Sequence, residues 1–301
     1  MPHDHAHVPE AGGDRRLWIA VAINVLLTVA QVVGGIIAGS LSLVADALHN
    51  LNDAASIGIA LIARRIARRP ADKQRTYGYR RAEMIGALIN LTTLIIVGLY
   101  LIYEAIRRFF EQQDVDGWIV VIVAGIALIV DVATAVLTYT MSKGNLNIKA
   151  AFVHNLSDAL ASVGVIVAGT LIILYDWYWT DLVATLAISA YILWQGFTMM
   201  RSTIRILMDS VPPEVDFDAV VAAMEAVPGV CGVHHVHIRS LDEHHRTLEA
   251  HIVVDKVDER IEGIKTQLRV VLKDRFDIVH STLEFEPVDA DDHDRRLVPG
   301  H

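Results

Sequence analysis

The stretches HNLND at 49–53 and HNLSD at 154–158 decide how the chain folds. Each sets a histidine four residues ahead of an aspartate inside a long apolar run, SLVADALHNLNDAASIGIALI around the first and AAFVHNLSDALASVGVIVAG around the second. Residues i and i+4 lie one turn apart on one helical face, so His49 and Asp53 project together, as do His154 and Asp158. An ionisable residue near the centre of a bilayer costs roughly 2.5–3.5 kcal/mol on insertion scales. A single pair reads as readily as a hydrogen-bonded helix contact. Two pairs load the membrane with four such groups, and a divalent cation between two facing helices offsets the two carboxylates. Two imidazole nitrogens and two carboxylate oxygens in a tetrahedron suit Zn²⁺, which accepts both ligand types without a d-electron geometry to satisfy.

The rest of the chain fits a membrane part followed by a soluble part. Its 301 residues are 53% hydrophobic with a net charge of −9 and a mean hydropathy of +0.41, too apolar for an ordinary soluble domain and too charged for membrane throughout. Apolar runs near 17–39, 43–63, 83–106, 117–141, 150–174 and 181–200 each approach the ~20 residues that a crossing helix needs. Six spans put both termini on one side. The connector 64–81 carries Arg64, Arg65, Arg68, Arg69, Lys73, Arg75, Arg80 and Arg81 against one acid, Asp72, which makes that side cytoplasmic. The aromatic stretch YDWYWTD at 175–181 then lies at the opposite interface. One cysteine, Cys231, excludes an internal disulfide framework. The expected location is the inner membrane of the cell, and no nucleic-acid partner is expected.

After Pro212 and Pro213 the pattern changes to helix 216–227, strands 230–239 and 247–255, helix 259–275 and strand 278–286. The order α-β-β-α-β gives a ferredoxin-like two-layer domain with one sheet face open. The expected organisation is a His-containing leader at 1–14, a transport domain at 15–208, a metal-binding and dimerisation domain at 209–287, and a disordered tail at 288–301. Strand alternation places Val230, His234, Val236, Ile238, Leu248, Ala250, Ile252, Val254, Val279, Leu283 and Phe285 inward. His235, His237, His251, His280, Glu284 and Glu286 then face outward. A metal site from His235, His251 and His280, with His237 or Glu284 as further candidates, fits that face; so does a solvated histidine-rich surface. His3, His5 and His7 in HDHAH could capture loosely held Zn²⁺. Asp46, three residues before His49, either lines a path to the site or caps the start of its helix. Asn50 reads as a packing contact.

The repeated HNLxD, the phrases SLVADALHNLNDAAS and YGYRRAEMIGALIN, and VHHVHIR, LEAHIVV and IVHSTLEFEP in the soluble part together resemble the cation diffusion facilitator family of zinc exporters. The resemblance covers about 15 to 287. It implies a homodimer of six-span protomers that exchanges cytoplasmic Zn²⁺, with Cd²⁺ or Co²⁺ as further cargo, for protons. The family's transport site falls on His49, Asp53, His154 and Asp158, and its tail-domain zinc positions fall near His235, His251 and His280. A charge interlock of the family falls on Arg81 and Asp209. A further metal site that some relatives carry between spans two and three has no histidine to build it within 64–81. The rivals are a membrane-embedded zinc sensor or scaffold, which binds without moving the ion, and an intramembrane metalloenzyme. The enzyme reading lacks an HExxH motif and a nucleophile beside a base.

Overall fold

The apolar runs fold as six long helices: α1 (Ala11–Ala38), α2 (Leu41–Ala67), α3 (Ala82–Phe110), α4 (Gly117–Met141), α5 (Leu146–Tyr175) and α6 (Trp179–Leu207). These belong to a computed structural model that describes residues 11–111, 113–141, 146–242, 245–257, 260–288 and 296–298, with side chains outside 11–24, 137–138 and 140–151. The HDHAH leader and His244 lie outside the described residues. Helices α3 and α6, with Gly117–Val136 of α4 and Phe152–Tyr175 of α5, are each long and apolar enough to cross a membrane. Helix α2 carries the polar site; at 27 residues it spans roughly 40 Å. Leu26, Ile96, Ile129, Leu160 and Trp194 point outward, as side chains bathed in lipid would.

Small residues set the distances between helices. A Cβ on Gly117 would lie 2.7 Å from the Gly169 carbonyl oxygen, so α4 and α5 approach backbone to backbone. Gly34 meets Val123 of α4, and Gly98 meets Leu193 of α6, each at 2.9 Å from a built Cβ. Where α2 begins, Asp181 of α6 supplies the cap from across the bundle. Its carboxylate accepts hydrogen bonds from the Ser40 and Ser42 hydroxyls at 2.6 Å and from the Leu41 amide at 2.8 Å. Orphan amides of a helix start are thereby satisfied where no water reaches, since Asp181 is 1% exposed. The capping alternative for Asp46 does not hold: it lies a full turn inside α2 and accepts from Gln31 Nε2 at 2.7 Å.

The chain divides into two compact units, one ending at Ile59 and resuming over Ile89–Met199, the other Ala60–Leu88 with Met200 onward. The second contains α7 (Phe217–Glu225), β1 (Val230–Ser240), β2 (Arg246–Val254), α8 (Ile261–Phe276) and β3 (Ile278–Pro287). The sheet order is β1-β2-β3, with β1 antiparallel and β3 parallel to the central β2. Asp216 caps α7 through the Asp218 and Ala219 amides. Val220, Met224, Val236, Ile238, Leu248, Ile252, Leu268 and Leu272 form the core between helices and sheet. Three irregularities depart from simple alternation, one of them at the start of β1 between Val230 and Gly232. In β1, His234 pairs with His251 and His237 with Glu249, so three steps on one strand face two on the other. This is a bulge, and His235 at φ +53° is its left-handed residue. In β3 the register skips Val279, which is exposed rather than buried in the core. Within 288–301, Val288 donates to the Val254 carbonyl, and the Arg296 and Leu297 carbonyls accept from the His235 and Val236 amides. That short segment thus follows the free edge of β1 at the bulge.

Removing the Asp181 cap should destabilise the bundle. Asp181→Ala leaves buried hydroxyls and an amide without an acceptor, at a cost of ~1–3 kcal/mol. A drop of several degrees in the detergent-solubilised melting temperature is expected, with a smaller drop for Asp181→Asn; an unchanged melt for the alanine variant would show that the cap does not hold α2.

Candidate metal centres

The helical period brings the two pentapeptides together. His49 Nε2 lies 3.6 Å from Asp53 Oδ2 and 3.5 Å from Asp158 Oδ1. His154 Nε2 lies 3.2 Å from Asp53 Oδ2 and 3.5 Å from Asp158 Oδ2. The two imidazole rings stand edge to face, 6.1 Å apart between centroids. Ligand atoms held 2.0–2.1 Å from a tetrahedral Zn²⁺ are separated from one another by about 3.3 Å, close to these four histidine–aspartate spacings; one donor atom each from His49, Asp53 and Asp158 lies within 4.8 Å of the others, and His154 joins them through the two aspartates. Both ring nitrogens of His49, Asp53 Oδ2 and Asp158 Oδ1 are buried without a hydrogen-bond partner. Lone pairs converging in an apolar bundle are costly unless something electropositive joins them. The site is not sealed evenly: the His49 side chain is 3% exposed and that of His154 36%. A cavity of about 330 Å³ adjoins it, lined by His49, Asp158 and Tyr191 among others.

Second-layer contacts hold the α2 half in place. Asn50 donates to Gln31 Oε1 at 3.2 Å, and Gln31 in turn donates to Asp46. Asn50 therefore ties α2 to α1, the packing contact expected of it. On the other half, Ser162 donates to Asp131 of α4 at 3.1 Å.

In the sheet domain the bulge rearranges the expected histidine set. His234, expected in the core, stands opposite His251 on the open face while remaining 3% exposed. Its Nε2 is 3.5 Å from Glu286 Oε2, and His251 Nδ1 is 2.6 Å from Glu286 Oε1 without the angle of a hydrogen bond. His234, His251 and Glu286 thus form a second converging donor set among the described residues. Of the expected ligands, His251 belongs to it and His235 stacks on the His251 ring at 4.6 Å. His237 lies beside His235 at 5.1 Å between centroids. Glu284 reaches His251 Nε2 at 3.5 Å but is largely exposed. His280 stands apart: it pairs with Thr247, four positions along β2 from His251, or about 13 Å. The sequence treated β1 as an unbroken alternation, which hid His234. His235, a non-glycine residue in the left-handed region, carries no signal strong enough to reveal the bulge.

The arginine-rich link between α2 and α3 is shaped by its one acid. Asp72 accepts from the Tyr79 hydroxyl at 2.7 Å and from the Gln74 and Arg75 amides at 2.8 Å. Arg81, at the end of this link, is ion-paired and hydrogen-bonded to Asp209 just beyond α6. Arg80 pairs with Asp242 at 3.2 Å, and Arg239 lies over the Tyr77 ring at 5.3 Å.

A helical membrane bundle around a two-histidine, two-aspartate donor set, followed by a small mixed-sheet domain, defines a multi-pass membrane protein that handles cations. The chain belongs to the cation efflux family: residues 17–208 match its transmembrane domain and 212–288 its cytoplasmic domain. It is 35% identical to the metal cation efflux system protein CzcD of Cupriavidus metallidurans over 95% of this chain and 90% of that one. Identity to a cadmium, cobalt and zinc/H⁺-K⁺ antiporter of Bacillus velezensis is 33%, over 99% of this chain and 96% of the relative. The zinc transporter ZitB of Escherichia coli is 30% identical over 100% and 98%.

The Tyr79 hydroxyl, with the two amides, holds the Asp72 carboxyl below its ordinary value of 3.8. A depressed folded-state value means that the carboxylate's contribution to the turn is complete above 3.8 and is lost as pH falls through the lower folded value. Tyr79→Phe should raise the Asp72 pKa toward 3.8, measured by carboxyl-carbon NMR titration of selectively labelled protein; no movement would mean that the hydroxyl is not the main influence.

Proposed function

We propose that the chain exports Zn²⁺ from the cytoplasm in exchange for protons, through His49, Asp53, His154 and Asp158. The observation that carries this reading is the set of four donor side chains, two from each helix, whose nitrogen-to-oxygen spacings of 3.2–3.6 Å suit one tetrahedral ion. Metal requires neutral imidazoles and ionised carboxylates, so protons and metal compete for the same lone pairs. That competition is the coupling: arrival of protons from outside displaces the ion, and arrival of the ion from inside displaces protons. Movement of α2 and α5 relative to the rest exposes the site to each side in turn. Asp46, hydrogen-bonded to Gln31 and 1% exposed, lies one turn from His49 and serves as a proton waypoint toward it. Cd²⁺ and Co²⁺ accept the same ligands and are expected as further cargo.

In this reading all six long helices span the inner membrane. The cationic link 64–81 and both termini are cytoplasmic, in keeping with the excess of arginine in that link. Two chains associate through the sheet domain. His234, His251 and Glu286 bind a further Zn²⁺ there. The chain acts as a transporter and not as an enzyme, in line with its family.

Proteoliposomes with an imposed pH gradient test transport directly. Asp53→Ala and His49→Ala should bring Zn²⁺ uptake to the level of empty vesicles and weaken binding by more than about 100-fold, since even supporting groups of a metal site account for 10–100-fold. Binding without flux in the unaltered chain would instead identify a sensor or scaffold. In the sheet domain, His234→Ala should lower the zinc content of the purified full-length chain by one ion per protomer, whereas His280→Ala should leave it unchanged. Equal losses would return His280 to the ligand set.

A further inference from the structure

A cleft of about 980 Å³ opens beside the link between α2 and α3, and its walls are mainly cationic. Arg64, Arg68 and Arg69 from the end of α2 and the start of the link, Arg80 from its far end, Arg246 of β2 and His280 of β3 all line it. Five guanidiniums face one space with two acids, Glu83 and Asp242, in the lining; Arg246 is in addition paired with Glu214 at 3.5 Å and Asp277 at 3.9 Å outside it, so the unbalanced charge is that of Arg68 and Arg69. The two acids of the lining are paired with Arg80 and Arg64 and leave Arg68 and Arg69 without a carboxylate among the described residues. Asp242 is taken by Arg80 at 3.2 Å and by the His245 ring nitrogen and amide at 2.7 and 2.8 Å. Glu83 lies 4.0 Å from Arg64. Asp72, the single acid of the link, is turned into its own loop by Tyr79 and two backbone amides. Arg68 and Arg69 have no acidic partner among the described residues; Arg69 instead lies over the Tyr79 ring at 5.9 Å.

Like charges brought together by a fold raise its energy unless an anion joins them. Guanidinium groups match the oxygens of a phosphate two at a time, and they shed their hydration more readily than an ammonium. The opposite wall contributes the exposed His280 imidazole, which the metal centre of the sheet domain leaves aside. The link itself is held in shape by the Asp72 turn and by Gly78 at φ +77°, so the arginines on it are presented by a defined loop. The cleft also begins where α2 ends and α3, an apolar span of 29 residues, starts. Basic residues at such a boundary meet the phosphate groups of anionic lipids.

We propose that this cleft binds a phosphate group, free or esterified, between the α2–α3 link and the β1–β2 and β3 edge of the sheet domain, with Arg68 and Arg69 as its principal contacts. The anion joins the link to the sheet domain beside the Arg80–Asp242 pair, so its presence stiffens that connection. Its source is either an anionic phospholipid headgroup or soluble phosphate. The proposal does not depend on the transport reading, because it concerns residues that take no part in the metal centres.

The test uses the purified full-length chain in detergent and compares native mass spectra with added phosphatidylglycerol and phosphatidylcholine. A parallel calorimetric titration uses inorganic phosphate. A preference of at least about fivefold for phosphatidylglycerol is expected from surface arginines facing an anionic headgroup. Arg68→Gln with Arg69→Gln should abolish it, while Arg65→Gln, outside the cleft lining, should not. Saturable binding of inorganic phosphate that disappears in the same double variant, without any lipid preference, would support the site and assign it to a soluble anion. Equal binding of both lipids together with no phosphate binding would overturn the proposal, as would binding of either anion that survives the double variant.

Discussion

Polar side-chain atoms without hydrogen-bond partners, buried among apolar side chains, are the constraint on which the rest of the bundle depends. Both nitrogens of His49, with Asp53 Oδ2 and Asp158 Oδ1, forgo the usual satisfaction of buried polar atoms. An interior that accepts such a cost must hold the groups firmly enough that they do not find one another or water instead. The surrounding contacts do this on both halves. Asn50 and Gln31 fix α2 against α1, and Ser162 and Asp131 join α5 to α4. Asp181 completes the start of α2 from α6. Polar residues within the bundle are therefore engaged with one another from helix to helix beside the donor set.

Close helix approach serves the same end. Without water to drive apolar surfaces together, helices in lipid associate through packing, and small residues allow that packing to be tight. Gly117 and Gly169 bring α4 and α5 to backbone contact, which makes this pair a stiff platform for His154 and Asp158. Helix α2 meets α5 at the site through the donor side chains themselves, His49 with Asp158 and Asp53 with His154.

How much of this was legible in the sequence differs between the two units for a physical reason. A helix repeats every 3.6 residues whatever its surroundings, so the i, i+4 spacing of HNLND and HNLSD sufficed to place His49 with Asp53 and His154 with Asp158. A strand repeats every two residues only while its ladder is unbroken, and one inserted residue exchanges the faces of everything beyond it. The bulge at His235 did this in β1 and brought His234, read as core, opposite His251. The skipped Val279 did the same at the start of β3. Glu286 was correctly read as outward, yet its part in a donor set depended on His234 and stayed hidden with it. The contribution of Asp181 to the start of α2 was invisible for a different reason: its partners lie about 140 positions away in the chain.

The division of the buried site, one histidine and one aspartate from each of two helices, makes it a gauge of the space between them. Each half alone offers two ligands, too few to hold a dehydrated ion, and the complete set exists only at one helix separation. Because Asp53 approaches both histidines and Asp158 does likewise, a shift of one helix stretches several contacts at once. Occupancy and helix spacing are then a single variable. In the transport proposed above, an ion draws the halves together, parting them releases the ion, and repulsion between the two bare carboxylates favours the parted state until protons or another ion arrive.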